Sequence, residues 1–165
     1  MSENLVIHTI GHSDHSTPAL LDLHKQHHIS LVLDVRSQPY SRWTPQFNQE
    51  SLIHDLEGAG FSYEFMGDTL GGRPDDRTLY DHGEERPSYE RMEQTPAYQA
   101  SIDRLLRLAQ SEQVVVMCSE GDHNHCHRHL LITQTLLARG ADVRHIQPDG
   151  TTVDGKPLAK QLSLF

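Results

Sequence analysis

The chain predicts an α/β fold, a three-layer sandwich built on a mainly parallel, Rossmann-like sheet. Two observations carry the expectation. Short apolar runs alternate with amphipathic helical segments four times along the chain. The runs are nearly continuous in Val, Ile and Leu, as strands covered by helices on both faces are. A length of 165 residues with 36% hydrophobic content suits one domain with a real core.

Residues 5–10 read as the first strand, stopped by Gly11-His12-Ser13. Thr17-Pro18 predicts a helix start with Thr17 as the cap, running through Leu20, Leu21 and Leu23 to about residue 28. Residues 31–35 form the second apolar run, and a second helix is expected over about 48–57, ended near Gly58 and Gly60. A third strand follows over 61–66. Residues 67–94 are polar and rich in Gly, Pro and Asp, which predicts a long functional loop or a disordered one. Thr95-Pro96 starts another helix, with Ile102, Leu105, Leu106 and Ala109 on one face. Val114 to Met117 is the most apolar run and is expected at the sheet centre. A helix over 126–139, closed by Gly140, and a strand over 143–146 complete the pattern. The chain therefore divides into an α/β domain over 1–147, a turn or short hairpin and linker over 148–160, and a tail over 161–165.

Several function classes are disfavoured at once. No run of about 18 apolar residues exists, so no membrane-crossing helix is expected. The start, Met1-Ser2-Glu3-Asn4, lacks the basic and apolar regions of a signal peptide, which predicts a cytoplasmic protein. A net charge of -9 argues against broad, non-specific DNA binding. A small local phosphate site stays compatible, because eleven of the fourteen Lys and Arg residues are Arg.

In a parallel sheet, polar residues that directly follow the strands converge in space. They are His12 and Ser13, then Asp34 and Arg36, then Gly71, Gly72 and Arg73, then Cys118 and Glu120. The densest segment runs from Cys118 to Arg128 and holds both cysteines and three of the thirteen histidines, with His129 directly after it. Three readings of it compete. Cys118 or Cys126 is a nucleophile with His127 as its base. Alternatively, Cys118, Cys126 and His127 hold a divalent metal, zinc or iron, with further histidines including His12 as other candidate ligands. In the third reading both thiols are packed and inert. Glu120 is the expected general acid or base. Asp34 is either half of a structural salt bridge or an acid that orients substrate, and His12 either an active-site group or a capping one. Arg36, Arg42 and Arg128 are expected to bind phosphate or carboxylate, with Gly71 and Gly72 beside them.

Taken together, Thr9-Ile10-Gly11-His12-Ser13, Leu33-Asp34-Val35-Arg36 followed by Pro39, Ser41 and Arg42, then Phe47, Leu70-Gly71-Gly72, Cys118 with Glu120, Cys126-His127-Arg128 and His145-Ile146 resemble the family catalogued as domain of unknown function 488. The resemblance implies an α/β fold with these residues around one site and names no reaction.

The tail Gln161-Leu162-Ser163-Leu164-Phe165 resembles the pentapeptide by which bacterial replication and repair proteins dock on the DNA sliding clamp. Leu162, Leu164 and Phe165 would be apolar anchors, and Gln161 an orienting amide. The competing reading folds the tail onto its own domain. The leading expectation is an enzyme acting on nucleic acid or a nucleotide and recruited by the clamp, with metal-assisted hydrolysis first and thiol-based transfer second. The alternatives are a non-catalytic module that binds a nucleotide or modified base, and a sulfur-transfer enzyme.

Overall fold

The computed structural model describes residues 4–158. Six strands form one sheet in the order β3-β2-β4-β1-β5-β6. They are β1 Val6–Gly11, β2 Leu31–Asp34, β3 Ser62–Phe65, β4 Val114–Cys118, β5 Asp142–Ile146 and β6 Thr152–Asp154. The first five run parallel, and β6 returns antiparallel to β5 through a turn at Gly150, whose φ is +90°. β4 lies between β2 and β1 and every one of its residues is buried, as its Val-Val-Val-Met sequence predicts.

Strand parity sorts the core into two layers. On one face Ile10, Val32, Val115 and Met117 pack beneath helices α1 (Thr17–Gln26) and α2 (Gln49–Gly58) through Leu20, Leu23, Leu52 and Leu56. On the other face Ile7, Leu33, Val116 and Val143 meet α5 (Pro96–Ala109) and the segment around Leu131 and Leu136. This is the three-layer α/β sandwich.

Local differences from expectation have physical causes. Ser16, not Thr17, caps α1: its hydroxyl accepts from Ala19 N–H at 3.3 Å, which moves Pro18 to the second helical position. Thr95 caps α5 as predicted, accepting from Tyr98 N–H. Residues 67–94 are not featureless. They contain α3 (Gly67–Leu70), a 3-10 turn (Arg77–Leu79) and α4 (Tyr89–Glu93), and buried Leu70, Pro87 and Met92 pin them to the core. Single turns have too few residues to show periodicity.

The helix expected over 126–139 begins instead as a π-helix, Arg128–Thr133, and continues as α6, Gln134–Ala138. Side chains serve the widened turn: Thr133 hydroxyl donates to Arg128 C=O at 2.6 Å, and Gln134 Nε2 to His129 C=O at 3.1 Å. The π-helix turns both Arg128 and His129 into the interior. Among the described residues no helix is long and apolar enough to cross a membrane.

Candidate functional site

The site lies at the carboxyl end of β4. Beyond the strand, His12 N–H donates to Cys118 C=O at 2.9 Å and Ser13 N–H to Ser119 C=O at 3.0 Å, so the β1 and β4 loops leave the sheet together. Gly11 is required there. A Cβ at Gly11 would stand 1.6 Å from the Glu120 carbonyl oxygen, so only glycine permits the approach. A cleft of about 1050 Å³ opens above these strand ends, and Cys118, Cys126, His127 and Glu120 line it beside Arg86 and Tyr89 from the 67–94 segment.

Cys118 ends β4, and Cys126 stands two residues before the π-helix. Their sulfurs are 2.7 Å apart, and both are free thiols. Behind them lies Arg128, with no exposed surface. Its Nη1 donates to Cys118 Sγ at 3.3 Å and to Glu120 C=O at 2.8 Å, its Nη2 to Gly121 C=O, and its Nε to Thr9 Oγ1 at 3.2 Å. Among the described residues no carboxylate pairs with it. A buried guanidinium without an anion is costly. The ionisable group its guanidinium touches is the Cys118 thiol, hydrogen-bonded to Cys126, so its burial favours a thiolate at the pair.

The two thiols share this field unequally. Burial pushes the Cys118 thiol well up, so it keeps its proton and donates to its neighbour. That hydrogen bond, with His127 and the Arg128 charge, pulls Cys126 well below the usual thiol range against the cost of its own burial. Arg128 backbone N–H also points at Cys126 Sγ, at 3.5 Å. His127 completes the arrangement. Its Nε2 is 3.1 Å from Val35 C=O, which only accepts, so Nε2 carries the proton. Nδ1, 3.7 Å from Cys126 Sγ, then has its lone pair free on the thiol side. Gly72 lies against this ring: a Cβ there would be 2.9 Å from imidazole atoms.

The other sequence-predicted residues scatter. Asp34 is fully buried, and its oxygens accept Arg36 Nε at 2.9 Å, Arg36 Nη2 at 2.8 Å and Tyr63 OH at 2.6 Å. Arg36 also donates to Phe47 C=O. The geometry is that of a structural ion pair at the cleft floor. His12 falls on the opposite face of the sheet, packed on Phe47 at 4.8 Å, with Nδ1 on Ser13 C=O. Burial lowers its pKa to about 4, so it is neutral. Arg42 lies outside the cleft and stacks on Trp43, which is 80% exposed. Gly71 sits over Ser37, whose hydroxyl accepts Arg73 N–H at 2.8 Å. Glu120 is exposed, with its backbone carbonyl engaged by Arg128.

Among the described residues no three His, Cys, Asp or Glu side chains group so as to hold a metal ion. Two thiolates on one tetrahedral zinc would stand roughly 3.7 Å apart, given Zn–S of about 2.3 Å. The 2.7 Å between these sulfurs is shorter.

Sequence reasoning missed one network. Arg128 is donor-only, so Thr9 Oγ1 accepts from its Nε, and the same hydroxyl is hydrogen-bonded to His145 Nδ1, 2.5 Å away. His145 Nε2 is in turn hydrogen-bonded to His129 Nδ1 at 3.1 Å. His123 stacks on His145, ring centroids 4.0 Å apart. Burial holds all three imidazoles neutral-leaning, with pKa values lowered. Thr9 and His145, both among the family-like motif residues, are register partners on neighbouring strands.

A family model described as "Domain of unknown function DUF488" matches residues 16–134. No curated protein and no solved structure matches the chain.

Proposed function

The chain belongs to the DUF488 family, and we propose that it is a thiol-dependent group-transfer enzyme with Cys126 as its nucleophile. One observation carries the reading: a fully buried Arg128, paired with no carboxylate among the described residues, sets its guanidinium on the Cys118 thiol and its backbone N–H on Cys126, and both cysteines line the cleft. His127 Nδ1 takes the Cys126 proton. The thiolate attacks an electrophilic centre of the substrate, a sulfur-to-substrate bond forms, and the leaving group departs with its electron pair. A second nucleophile then takes the group and releases Cys126. Thiol chemistry is favoured over metal-assisted hydrolysis because the thiols and His127 are arranged toward one another rather than as a set of three ligands.

The test is alkylation by iodoacetamide followed by peptide mapping. Cys126 is expected to label at about pH 6, far below the ordinary thiol pKa of roughly 8.5, while Cys118 stays unlabelled. Labelling of both cysteines alike, and only at alkaline pH, would overturn the assignment.

A second reading concerns location. Gln161, Leu162, Leu164 and Phe165 lie outside the described residues, and their match to the clamp-docking pentapeptide supports recruitment to DNA, with a nucleotide or nucleic acid as the substrate class. The net charge of -9 supports a tether over a basic DNA-binding surface. Purified clamp should retain the full chain and lose one truncated after Lys160; equal retention contradicts the docking.

A further inference from the structure

We propose that Cys118 and Cys126 work as a dithiol–disulfide couple, Cys126 attacking a substrate disulfide and Cys118 resolving the mixed disulfide. The inference rests on the Cys126 reading and extends it to a substrate class.

The geometry supports the second step. The two sulfurs adjoin at 2.7 Å, and both line the same cleft, so a group arriving on Cys126 lands beside Cys118. The chain has two cysteines in all, so no other internal thiol competes. The pair is fixed by regular structure on both sides: Cys118 by the β1–β4 ladder, Cys126 by backbone N–H donation to His123 C=O at 3.1 Å. Arg128 Nη1 reaches Cys118 Sγ at 3.3 Å, which places a positive charge where Cys118 must become a thiolate to attack.

The chemistry balances without an unnamed partner. Cys126 thiolate attacks one sulfur of RS–SR′, the S–S bond breaks, and R′S⁻ leaves with the electron pair. Cys118 gives up its proton to solvent base, the Arg128 guanidinium facing the forming thiolate, and attacks the Cys126 sulfur of Cys126–S–SR. The new S–S bond joins the two cysteines, and RS⁻ leaves. Two protein thiols are oxidised and one substrate disulfide is reduced. An external thiol, by the reverse sequence, restores the dithiol.

The surroundings also set the direction. Arg128 favours the thiolate form, and that anion vanishes on oxidation, leaving the buried guanidinium uncompensated. Stabilising the reduced state makes a couple oxidising. A thiolate of low basicity also attacks best where the leaving thiol is itself of low pKa. The substrate class is therefore a reactive disulfide with a good leaving thiol.

The probe is the aromatic disulfide 5,5′-dithiobis(2-nitrobenzoate) on the full chain, with released thionitrobenzoate and intact mass both read. The wild type is expected to release two equivalents per chain. It should end lighter by two hydrogens, with no adduct and a Cys118–Cys126 link in the non-reducing peptide map. Release of the second equivalent should not depend on protein concentration. Cys118→Ser should stop at one equivalent with an adduct on Cys126, and Cys118→Ala is the alternative if the serine variant misfolds. A stable adduct on wild-type Cys126, with one equivalent released, overturns the couple and leaves the nucleophile standing. Failure of Cys126 to react at all overturns both. The wild-type stoichiometry decides even if neither variant folds.

Discussion

Acidification should destabilise this protein through buried histidines other than His127, and His24 is the clearest of them. It is fully buried on α1, edge-on to Phe61 at 5.6 Å, and neither ring nitrogen has a hydrogen-bond partner among the described residues. Burial first, then the nearby His27, lowers its pKa from 6.5 to about 4. The folded-state value is the depressed one, so folding favours the neutral ring. The resulting stability is complete above the unfolded value and is lost as pH falls from there toward the folded value. Between about pH 7 and pH 5 the unfolded chain takes up the proton and the folded chain does not, which costs about 2 kcal/mol. His8 and His12 are lowered to about 4 in the same way, burial again the first cause. Together the three cost about 5 kcal/mol, against a typical total stability of about 5–15 kcal/mol. His24→Leu removes one share and two unpartnered nitrogens. In urea denaturation with m of about 2 kcal/mol/M, its midpoint should fall about 1 M less than the wild type's between those pH values. Equal losses in variant and wild type would refute the reasoning.

Arg36→Ala strips Asp34 of two hydrogen bonds and its counter-ion, and should cost about 3–5 kcal/mol, read as a fall of about 10 °C in thermal midpoint. Gly11→Ala forces a backbone shift against Glu120 C=O, which also anchors Arg128. It should lower stability by about 2 kcal/mol or more and slow Cys126 alkylation in the same preparation. Gly72→Ala places a Cβ 2.9 Å from His127 ring atoms and must displace that ring, so neutral-pH alkylation of Cys126 should fall about tenfold or more, with a stability loss of about 1–3 kcal/mol by urea denaturation.

Much of the fold is legible because its strands are apolar runs and its main helices are periodic. Val114 to Met117 announces a buried strand, and Thr95-Pro96 a capped helix. The convergence of strand ends follows from the parallel sheet and brings Cys118 into one cleft with His127. Residues next to a strand end nevertheless part by parity. Gly11 is the register partner of Cys118, so His12, one residue on, turns to the other face. Arg128 reads as a phosphate binder from its type, yet the π-helix buries it behind the thiols. No sequence signal marks that extra residue per turn, because it depends on which carbonyls Thr133 and Gln134 can serve. The Thr9–His145–His129 chain is likewise tertiary, assembled from two strands and a helix.

The thiolate itself can be read directly, through its far-ultraviolet absorbance in the native protein titrated alongside Cys126→Ser. The account predicts one thiolate's absorbance in the wild type at about pH 6, gone in the variant, with Cys118 adding none across the neutral range. Absorbance that rises only near the ordinary thiol pKa of roughly 8.5, and equally in both proteins, would contradict it.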